Sequence, residues 1–348
     1  MKHYVGLDLS MEAVAVCVVD GEGRVVAETT LCRNVDDIVR YLEKIDHEVE
    51  LVGLESGSGS SLLTTQLLEA GVKVVCMDAR ALAGFLKAKY MNKNDRNDAR
   101  GIAEALRLKA YKAVHPKSEA AREAKAILKI RRRLVKSWSS QKVSVRGILK
   151  EFGVRLGPAG KAGFADKVRE KMEKISPDVT IAIESMLRVI EQTLAQIKAL
   201  DRQIAQLAKQ NPACKRLMTT PGIGPITSMS FVAEIDDITR FKDSRSVGAY
   251  IGLTPREYSS GESRRLGGIS KSGSAELRSL LVEAGIVILG RCQKWSRLKA
   301  WGVRLSKRHG PKKAAVAIGR KLSVIMHRML VTETDFIYGE PKKQKVAA

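Results

Sequence analysis

The first stretch of the chain is a series of short apolar runs broken by turn residues. Tyr4 to Ser10, Ala13 to Asp20 and Arg24 to Leu31 each read as a β-strand. Gly21-Glu22-Gly23 supplies the turn between the second and third, so the three predict strands joined as hairpins. The period then lengthens. Val35 to Ile45 reads as a helix, Leu51 to Glu55 as a short buried strand, Ser60 to Ala70 as a helix, Lys73 to Met77 as a strand and Ala79 to Lys87 as a helix. The predicted order is βββαβαβα, and the Gly/Ser stretch Ser56 to Ser60 is expected to cap the helix that follows it.

From about Glu119 the composition shifts to Ala, Lys, Arg and Leu. Ile127, Ile130, Leu134, Trp138, Gln141, Val145 and Ile148 recur every three or four residues, and a glycine-rich loop follows from Gly153 to about Gly163. A second long helix is expected after Ser176-Pro177-Asp178, with the stripe Ile190, Leu194, Ile197, Leu200, Ile204 and Leu207. Two such helices predict an antiparallel hairpin or a coiled coil. The outer face of the first carries Arg131, Arg132, Arg133, Lys136, Lys142 and Arg146, which reads either as a solvated face or as a surface for a phosphate backbone. Core packing is the expected place of Trp138, Trp295 and Trp301, ahead of base stacking.

Charge changes this picture. Residues 1–100 hold 12 Lys and Arg against 16 Asp and Glu, net −4, whereas residues 101–348 hold 49 against 22, net +27. An excess of that size calls for a polyanionic partner, most simply nucleic acid, with a basic ribosomal or membrane-surface protein as the plainer alternative. The five cysteines are scattered without a C-x-x-C pair, so reduced thiols are expected rather than a zinc site or a disulfide framework. The N-terminus has no basic-then-apolar leader and no run reaches membrane-spanning length, so a cytoplasmic, nucleoid-associated protein with no membrane partner is expected.

Four carboxylates stand where they can converge. Asp8 closes Tyr4-Val5-Gly6-Leu7, and Glu55 closes Leu51-Val52-Gly53-Leu54. Asp95 and Asp98 lie three apart at an expected helix start, a spacing that places both on one face. Carboxylates without His or Cys suit hard ions such as Mg2+, and such ions on a basic protein point to phosphodiester chemistry. Each acid also has a plain reading as a solvated strand end or a helix-start residue favoured by the macrodipole. A meander followed by alternating α/β units resembles, in pattern, the ribonuclease-H-like fold, whose strand ends carry catalytic acids.

A second candidate centre lies further on. Thr219-Thr220-Pro221-Gly222-Ile223-Gly224-Pro225-Ile226-Thr227 joins two helical segments and looks like a helix-hairpin-helix element, with Gly222 and Gly224 leaving backbone N–H groups for a phosphate. Gly252 to Gly261 and Arg264 to Gly273 follow, combining serines with Arg256, Arg264, Arg265 and Lys271 before a helix near Ala275 that buries Leu277, Leu280 and Leu281. A serine nucleophile needs neutralisation of the developing phosphorane charge, which guanidinium and backbone N–H groups supply. The stretch has no His. A Ser/Gly surface loop with phosphate-binding arginines is the alternative at this point.

Together GLDLS, LES, KNDRNDA, PGIGPIT, GLTPREYSSG and GGISKSG before LRSLL resemble, in order and spacing, the DEDD-type insertion-sequence transposases of the insertion sequence 110/1111 group. The resemblance implies a RuvC-like ribonuclease-H-fold domain over 1–112 with Asp8, Glu55, Asp95 and Asp98 as Mg2+-binding acids, Mn2+ being a substitute. It implies a long-helix coiled-coil region over 113–210 and a mostly helical transposase domain over 211–335. Residues 336–348 are left as a basic tail expected to be disordered. The nucleophile is implied to be the serine before Gly261, which is Ser260, with Ser259 beside it. The implied reaction is recombination of donor ends and target DNA through a phosphoserine linkage, guided by a structured noncoding bridge RNA, in dimers that combine into tetramers. Two rival readings are a metal-dependent hydrolytic nuclease or Holliday-junction resolvase, in which Ser260 only contacts DNA, and a catalytically silent nucleic-acid binder derived from a transposase.

Overall fold

The computed structural model describes residues 2–45, 48–89, 94–160, 163–260 and 263–339, leaving aside the side chains of Lys174 and Arg264. The chain divides into two compact units, Met1–Glu119 and Ala120–Ala348.

The first unit has the expected element order. Strands β1 (His3–Leu9), β2 (Ala13–Val19) and β3 (Val25–Cys32) are followed by helix α1 (Val35–Lys44), strand β4 (Val49–Glu55), helix α2 (Ser60–Glu69), strand β5 (Val74–Met77) and helices α3 (Ala79–Lys89) and α4 (Asp95–Arg107). The sheet order is β3-β2-β1-β4-β5. β1 pairs antiparallel with β2 and parallel with β4, whereas β2 and β3 are antiparallel and β4 and β5 parallel. Successive side chains on a strand face opposite ways, and the two cores sort accordingly. Val5, Leu7, Val52 and Leu54 point to one core with Ile38 of α1 and Leu67 of α2. Tyr4 and Leu51 point the other way, towards Met77, Ile102 and Leu106. The expected cap from the Gly/Ser loop differs in detail: Gly59 is the N-cap of α2 and gives no side-chain bond, while Ser56 Oγ accepts from Ala79 N at the start of α3.

Helix α4 lies directly on β1. A Cβ at Gly6 would stand 2.0 Å from Ala99 O and 2.6 Å from Ala103 N, so only glycine lets the two backbones meet. The far end of α4 is pinned as well. Glu104 is buried, with Lys89 Nζ and Arg107 Nη2 each 2.9 Å from its carboxylate. Arg107 also reaches Gly21 O, and Gly23 leaves room for the Glu104 carboxylate in the β2–β3 turn. Burial alone pushes the Glu104 carboxyl up, but the bonds from Lys89 and Arg107 outweigh it and hold its pKa below the ordinary value.

In the second unit α5 (Glu119–Glu151) and α7 (Pro177–Gln210) run antiparallel. Leu128 of α5 shares a core with Ile204 and Ala208, while Val145 and Leu149 meet Ile183 and Leu187 together with Phe164 of α6 (Phe164–Lys171). The apolar stripe of α5 follows the expected one at Ile127, Leu134, Trp138, Val145 and Ile148, which pack into the two cores, and departs from it at Ile130. Leu128 is buried and Ile130 is 55% exposed, because the inward positions follow Leu128, Trp138, Val145 and Leu149 at roughly heptad spacing.

The remaining helices are α8 (Pro212–Met218), α9 (Pro225–Ile235), α10 (Ser246–Tyr250), α11 (Ala275–Gly290), α12 (Arg297–His309) and α13 (Pro311–Val331), with strands β6 (Pro255–Ser260) and β7 (Ser263–Ile269) inserted before α11. Leu277 and Leu281 of α11 enter their core and Leu280 is half-buried. The parts expected as 113–210 and 211–335 lie in one unit, because Cys214 of α8 and Met229 of α9 share the Leu128–Ile204 core. Two further expectations are corrected. Trp138 is buried and Trp301 packs against the main helical core, but Trp295 is 62% exposed, in the short loop before α12. The tail expected from 336 is not borne out at residues 336–339. Phe336 N donates to Thr219 Oγ1, Tyr338 O accepts from Arg297 N, and the two rings meet edge-on, so these aromatics strap the chain down. Residues 340–348 lie outside the described residues.

Two expected outcomes test this account of α4. Gly6→Ala destabilises the first unit by about 3 kcal/mol, since backbone on both sides leaves no room to relax. Gly84→Ala, on an exposed stretch of α3 with nothing near the added methyl, stabilises it by up to ~1 kcal/mol. Urea unfolding with hydrogen exchange at β1 and α4 amides separates the two signs. Glu104→Gln costs about 2 kcal/mol at neutral pH. A lowered carboxyl pKa gives stability above the ordinary value near ~4.3 that is lost as pH falls through the folded value. The Gln variant therefore loses less stability than wild type on acidification below about pH 4.5, as a pH series of unfolding midpoints will show.

Candidate active site

The four acids stand at one end of the first unit's sheet. Asp8 shares its face of β1 with Gly6, two residues away, and Glu55 shares its face of β4 with Gly53. Both glycines face α4: Gly6 meets its backbone, and a Cβ at Gly53 would meet Leu106. Leu7 pairs with Leu54 in parallel register, so Asp8 and Glu55 are the next residues on neighbouring strands. α4 runs antiparallel to β1, with Ala99 over Gly6 and Glu104 and Arg107 over the turn at Gly21 and Gly23. Its first turn therefore lies over the carboxyl ends of β1 and β4. That turn carries Asp95 and Asp98 and is capped by Asn94, whose side chain accepts from Asn97 N.

The arrangement is two pairs, Asp8 with Glu55 and Asp95 with Asp98. Asp8, Glu55 and Asp98 are half-buried and Asp95 is exposed. Among the described residues no group of three or more His, Cys, Asp or Glu stands close enough to hold a metal ion. The donor chemistry suits a hard divalent cation, being carboxylate oxygen throughout. Beside Asp95 opens a cavity of ≈ 460 Å³ lined by Ser10, Ala13, Thr30, Asp95 and Arg96. Arg96 pairs with Glu28 of β3 across it. The side-chain bond from Arg96 holds the Glu28 carboxyl below the usual range, and burial pushes the nearby Cys17 thiol up to about 12, which makes it inert.

The loops after the two acid-bearing strands are tied by one side chain that sequence reading passed over. Arg33 donates to Ser10 O and Ser58 O, each at 2.7 Å. A Cβ at Gly59, whose φ is +78°, would sit 2.0 Å from the guanidinium, so glycine there makes room for it. The motif glycine after Glu55 was the available signal for such a close approach.

The serine segment of the second unit is a β-hairpin rather than a loop. β6 and β7 pair antiparallel, Tyr258 opposite Arg265, Ser259 opposite Arg264 and Ser260 opposite Ser263. All six residues of β6 are exposed. Opposed residues share a face and successive residues alternate. Ser260 thus shares a face with Tyr258 and Arg265, while Ser259 faces the other way and donates to Glu257 Oε1 at 3.0 Å. Arg264 gives its backbone to β7, and its side chain, like Gly261 at the tip, lies outside the described residues. Arg256 is exposed at the base of the hairpin and reaches Ser270 O.

That base is rigid for a physical reason. A Cβ at Gly252 would lie 2.3 Å from Ser272 O, and one at Gly273 2.2 Å from Tyr250 O; both glycines have positive φ. Arg278 of α11 gathers the carbonyls of Ile251 and Ser272 at 2.8 Å each, and burial lowers its pKa. Lys271 adopts the left-handed region, φ 57°, with its N–H on Gly252 O and its side chain exposed. The Thr219 to Thr227 segment is a turn from α8 into α9. A Cβ at Gly222, φ 78°, would stand 3.0 Å from Ala284 O, and Gly224 is the N-cap of α9 without a side-chain cap. Arg278 and the Gly252–Gly273 contact were not foreseen from sequence; the glycines inside GLTP and SKSG were their only trace.

Among the described residues no helix is long and apolar enough to cross a membrane. The family model described as "Transposase IS116/IS110/IS902 family" matches residues 214–300, and DEDD_Tnp_IS110, described as "Transposase", matches residues 5–154. The transposase for insertion sequence element IS1111A of Coxiella burnetii (strain RSA 493 / Nine Mile phase I) is 28% identical over 341 residues, covering 96% of this chain and 91% of that protein. The probable family 20 transposase of Pseudomonas aeruginosa PAO1 is 30% identical over 338 residues, covering 95% and 98%. Among solved structures, T. thermophilus RuvC in complex with a Holliday junction substrate covers 33% of this chain and 100% of its own at 15% identity, with a TM-score of 0.27, a likeness that carries no argument.

Proposed function

The chain belongs to the IS110/IS116 family of DEDD-type insertion-sequence transposases, enzymes that recombine DNA, and we propose that it cleaves and rejoins strands through Ser260 with Asp8, Glu55, Asp95 and Asp98 as Mg2+-binding acids. The observation that carries the choice of nucleophile is the split of the hairpin faces. Ser259 is engaged by a carboxylate, which repels a phosphodiester, whereas Ser260 lies on the face of Arg265. Arginine beside a phosphate neutralises the charge that gathers on its oxygens during substitution. Ser260 Oγ attacks phosphorus, a P–O bond to deoxyribose breaks, and the proton leaves the serine as the departing sugar oxygen gains one. The serine phosphodiester keeps the bond energy, so a second sugar hydroxyl can reverse the step and rejoin strands without ATP.

The sheet order and the acids at its strand ends support a ribonuclease-H-like, RuvC-like reading of the first unit. Bound Mg2+, or Mn2+ in its place, would polarise a phosphate oxygen. Asp8 and Glu55 would hold it from adjacent strands, Asp95 and Asp98 from one turn of α4. Arg256, Lys271 and the amides at Gly222 and Gly224 are proposed backbone contacts, the latter two in a helix-hairpin-helix role. Guidance by a structured bridge RNA rests on the family resemblance and on the strong positive charge of the C-terminal part. Assembly as dimers and tetramers, with α5 and α7 as a coiled coil, and a place at the nucleoid belong to the same reading.

The test is a protein–DNA adduct that survives denaturation, sought in cells carrying the complete element with its flanking noncoding DNA. Ser260→Ala abolishes the adduct and recombination, whereas Ser259→Ala retains both within several-fold. Asp8→Asn and Glu55→Gln each lower recombination at least about 100-fold. Cleaved DNA without an adduct in wild type would favour the hydrolytic nuclease instead.

A further inference from the structure

Helix α5 carries a cationic stripe that sequence composition alone does not separate from its neighbours. Lys125, Lys129, Arg132 and Lys136 follow one another at spacings of four, three and four, so they lie on one face, with Arg133 beside them. They form one wall of a groove of ≈ 410 Å³ whose other wall is Ser230 and Glu234 of α9 and the first turn of α11. Two of the cations are neutralised within the fold. Lys125 pairs with Glu234 at 2.8 Å, and Arg132 with Glu276 at 3.1 Å. Lys129, Arg133 and Lys136 are exposed along the same groove.

Three other cations of this helix are engaged within the fold. Arg131 pairs with Asp201, Lys142 lies over the Trp138 and Phe164 rings, and Arg146 donates to Leu156 O and Gly157 O. Lys129, Arg133 and Lys136 thus bring three exposed cations together in the groove, while Lys150 is exposed at the far end of the helix.

We propose that this groove docks the phosphodiester backbone of one DNA strand, with Lys129, Arg133 and Lys136 as its contacts and Glu276 competing for Arg132. The cations recur about once per helical turn over ~16 Å, which suits a linear repeating polyanion better than a single phosphate. No aromatic ring lines the groove, so it holds backbone and does not stack bases. The inference rests on the chain's acting on DNA and is independent of Ser260, so failure here and failure of serine chemistry are read out separately.

The experiment is fluorescence anisotropy of the full-length chain with a labelled duplex of about 30 base pairs across a salt series. At ~0.9 in slope per phosphate contact, the combined Lys129→Ala, Arg133→Ala and Lys136→Ala variant has a log–log salt slope shallower by about 2.7. Its affinity near 100 mM salt falls about 10- to 100-fold. Lys198→Ala, Arg202→Ala and Lys209→Ala together, on exposed positions of α7, make the same change in net charge and leave the slope in place. Glu276→Gln tightens binding several-fold, while Glu283→Gln, an exposed position on the same helix, does not. Should the triple variant misfold by circular dichroism, the Glu276/Glu283 comparison decides. Equal losses in the two triple variants, or equal effects of the two glutamine variants, would overturn the proposal. So would a slope change seen with duplex RNA of the same sequence and absent with DNA.

Discussion

The contact between Gly6 and the backbone of α4 is the constraint on which the acidic centre depends. Four carboxylates on three elements repel one another, and nothing in their own chemistry draws them together. What sets their positions is packing: α4 settles on β1 at backbone distance because position 6 has no Cβ. Once Ala99 lies over Gly6 and the other end of the helix is held by Glu104, Lys89 and Arg107, the first turn of α4 has one place to go. That turn, with Asp95 and Asp98, then lies over the strand ends that carry Asp8 and Glu55. The buried Glu104 cluster fastens the end of α4 opposite Asp95 and Asp98.

The serine hairpin uses the same device with different parts. An isolated two-stranded ribbon with both faces in water is weakly stable. Here its two ends are knotted together by Gly252 against Ser272 and Gly273 against Tyr250, and the half-buried Arg278 guanidinium gathers the carbonyls of that knot. The rigid base fixes which way each strand face points, and the alternation of β6 then separates two adjacent serines into different chemical surroundings. Position in sequence distinguishes Ser259 from Ser260 by one residue; position on the pleat distinguishes them by a whole face.

Much of the first unit was legible because its periods are clean. Apolar strands bounded by glycine and polar turns gave the βββαβαβα order, and acids at the ends of GLDL and LVGLE mark strand ends whatever the sheet order is. The direction in which α4 crosses β1 was not legible, since it follows from backbone contact at Gly6 and from the Glu104 cluster, both long-range. The β6–β7 hairpin escaped notice for a related reason. Its sequence is rich in Ser, Arg and Gly with no buried face, and an exposed ribbon lacks the apolar alternation by which strands are recognised. The α5 stripe was legible except at Ile130, because many apolar positions compete on a helix of 33 residues, and only packing against α7 selects Leu128 over Ile130. The aromatic strap at Phe336 and Tyr338 was hidden in a segment whose charge suggested a tail.

The distribution of ion pairs gives the net charge a direction. A chain with so large a basic excess might be taken as positive everywhere, yet many of its cations are answered from within: Arg169 by Glu184 and Glu191, Arg131 by Asp201, Lys142 by aromatic rings. Such groups hold the fold and offer little to an outside polyanion, because a phosphate would have to displace a partner already in place. The cations with effect on a ligand are those the fold lines up without neutralising. On α5 Lys129, Arg133 and Lys136 are such a subset, and on the hairpin Arg265 shares the face of Ser260. The proposed strand groove and the proposed nucleophile thus follow one rule: charge that the protein does not need for its own packing stands where a phosphodiester could use it.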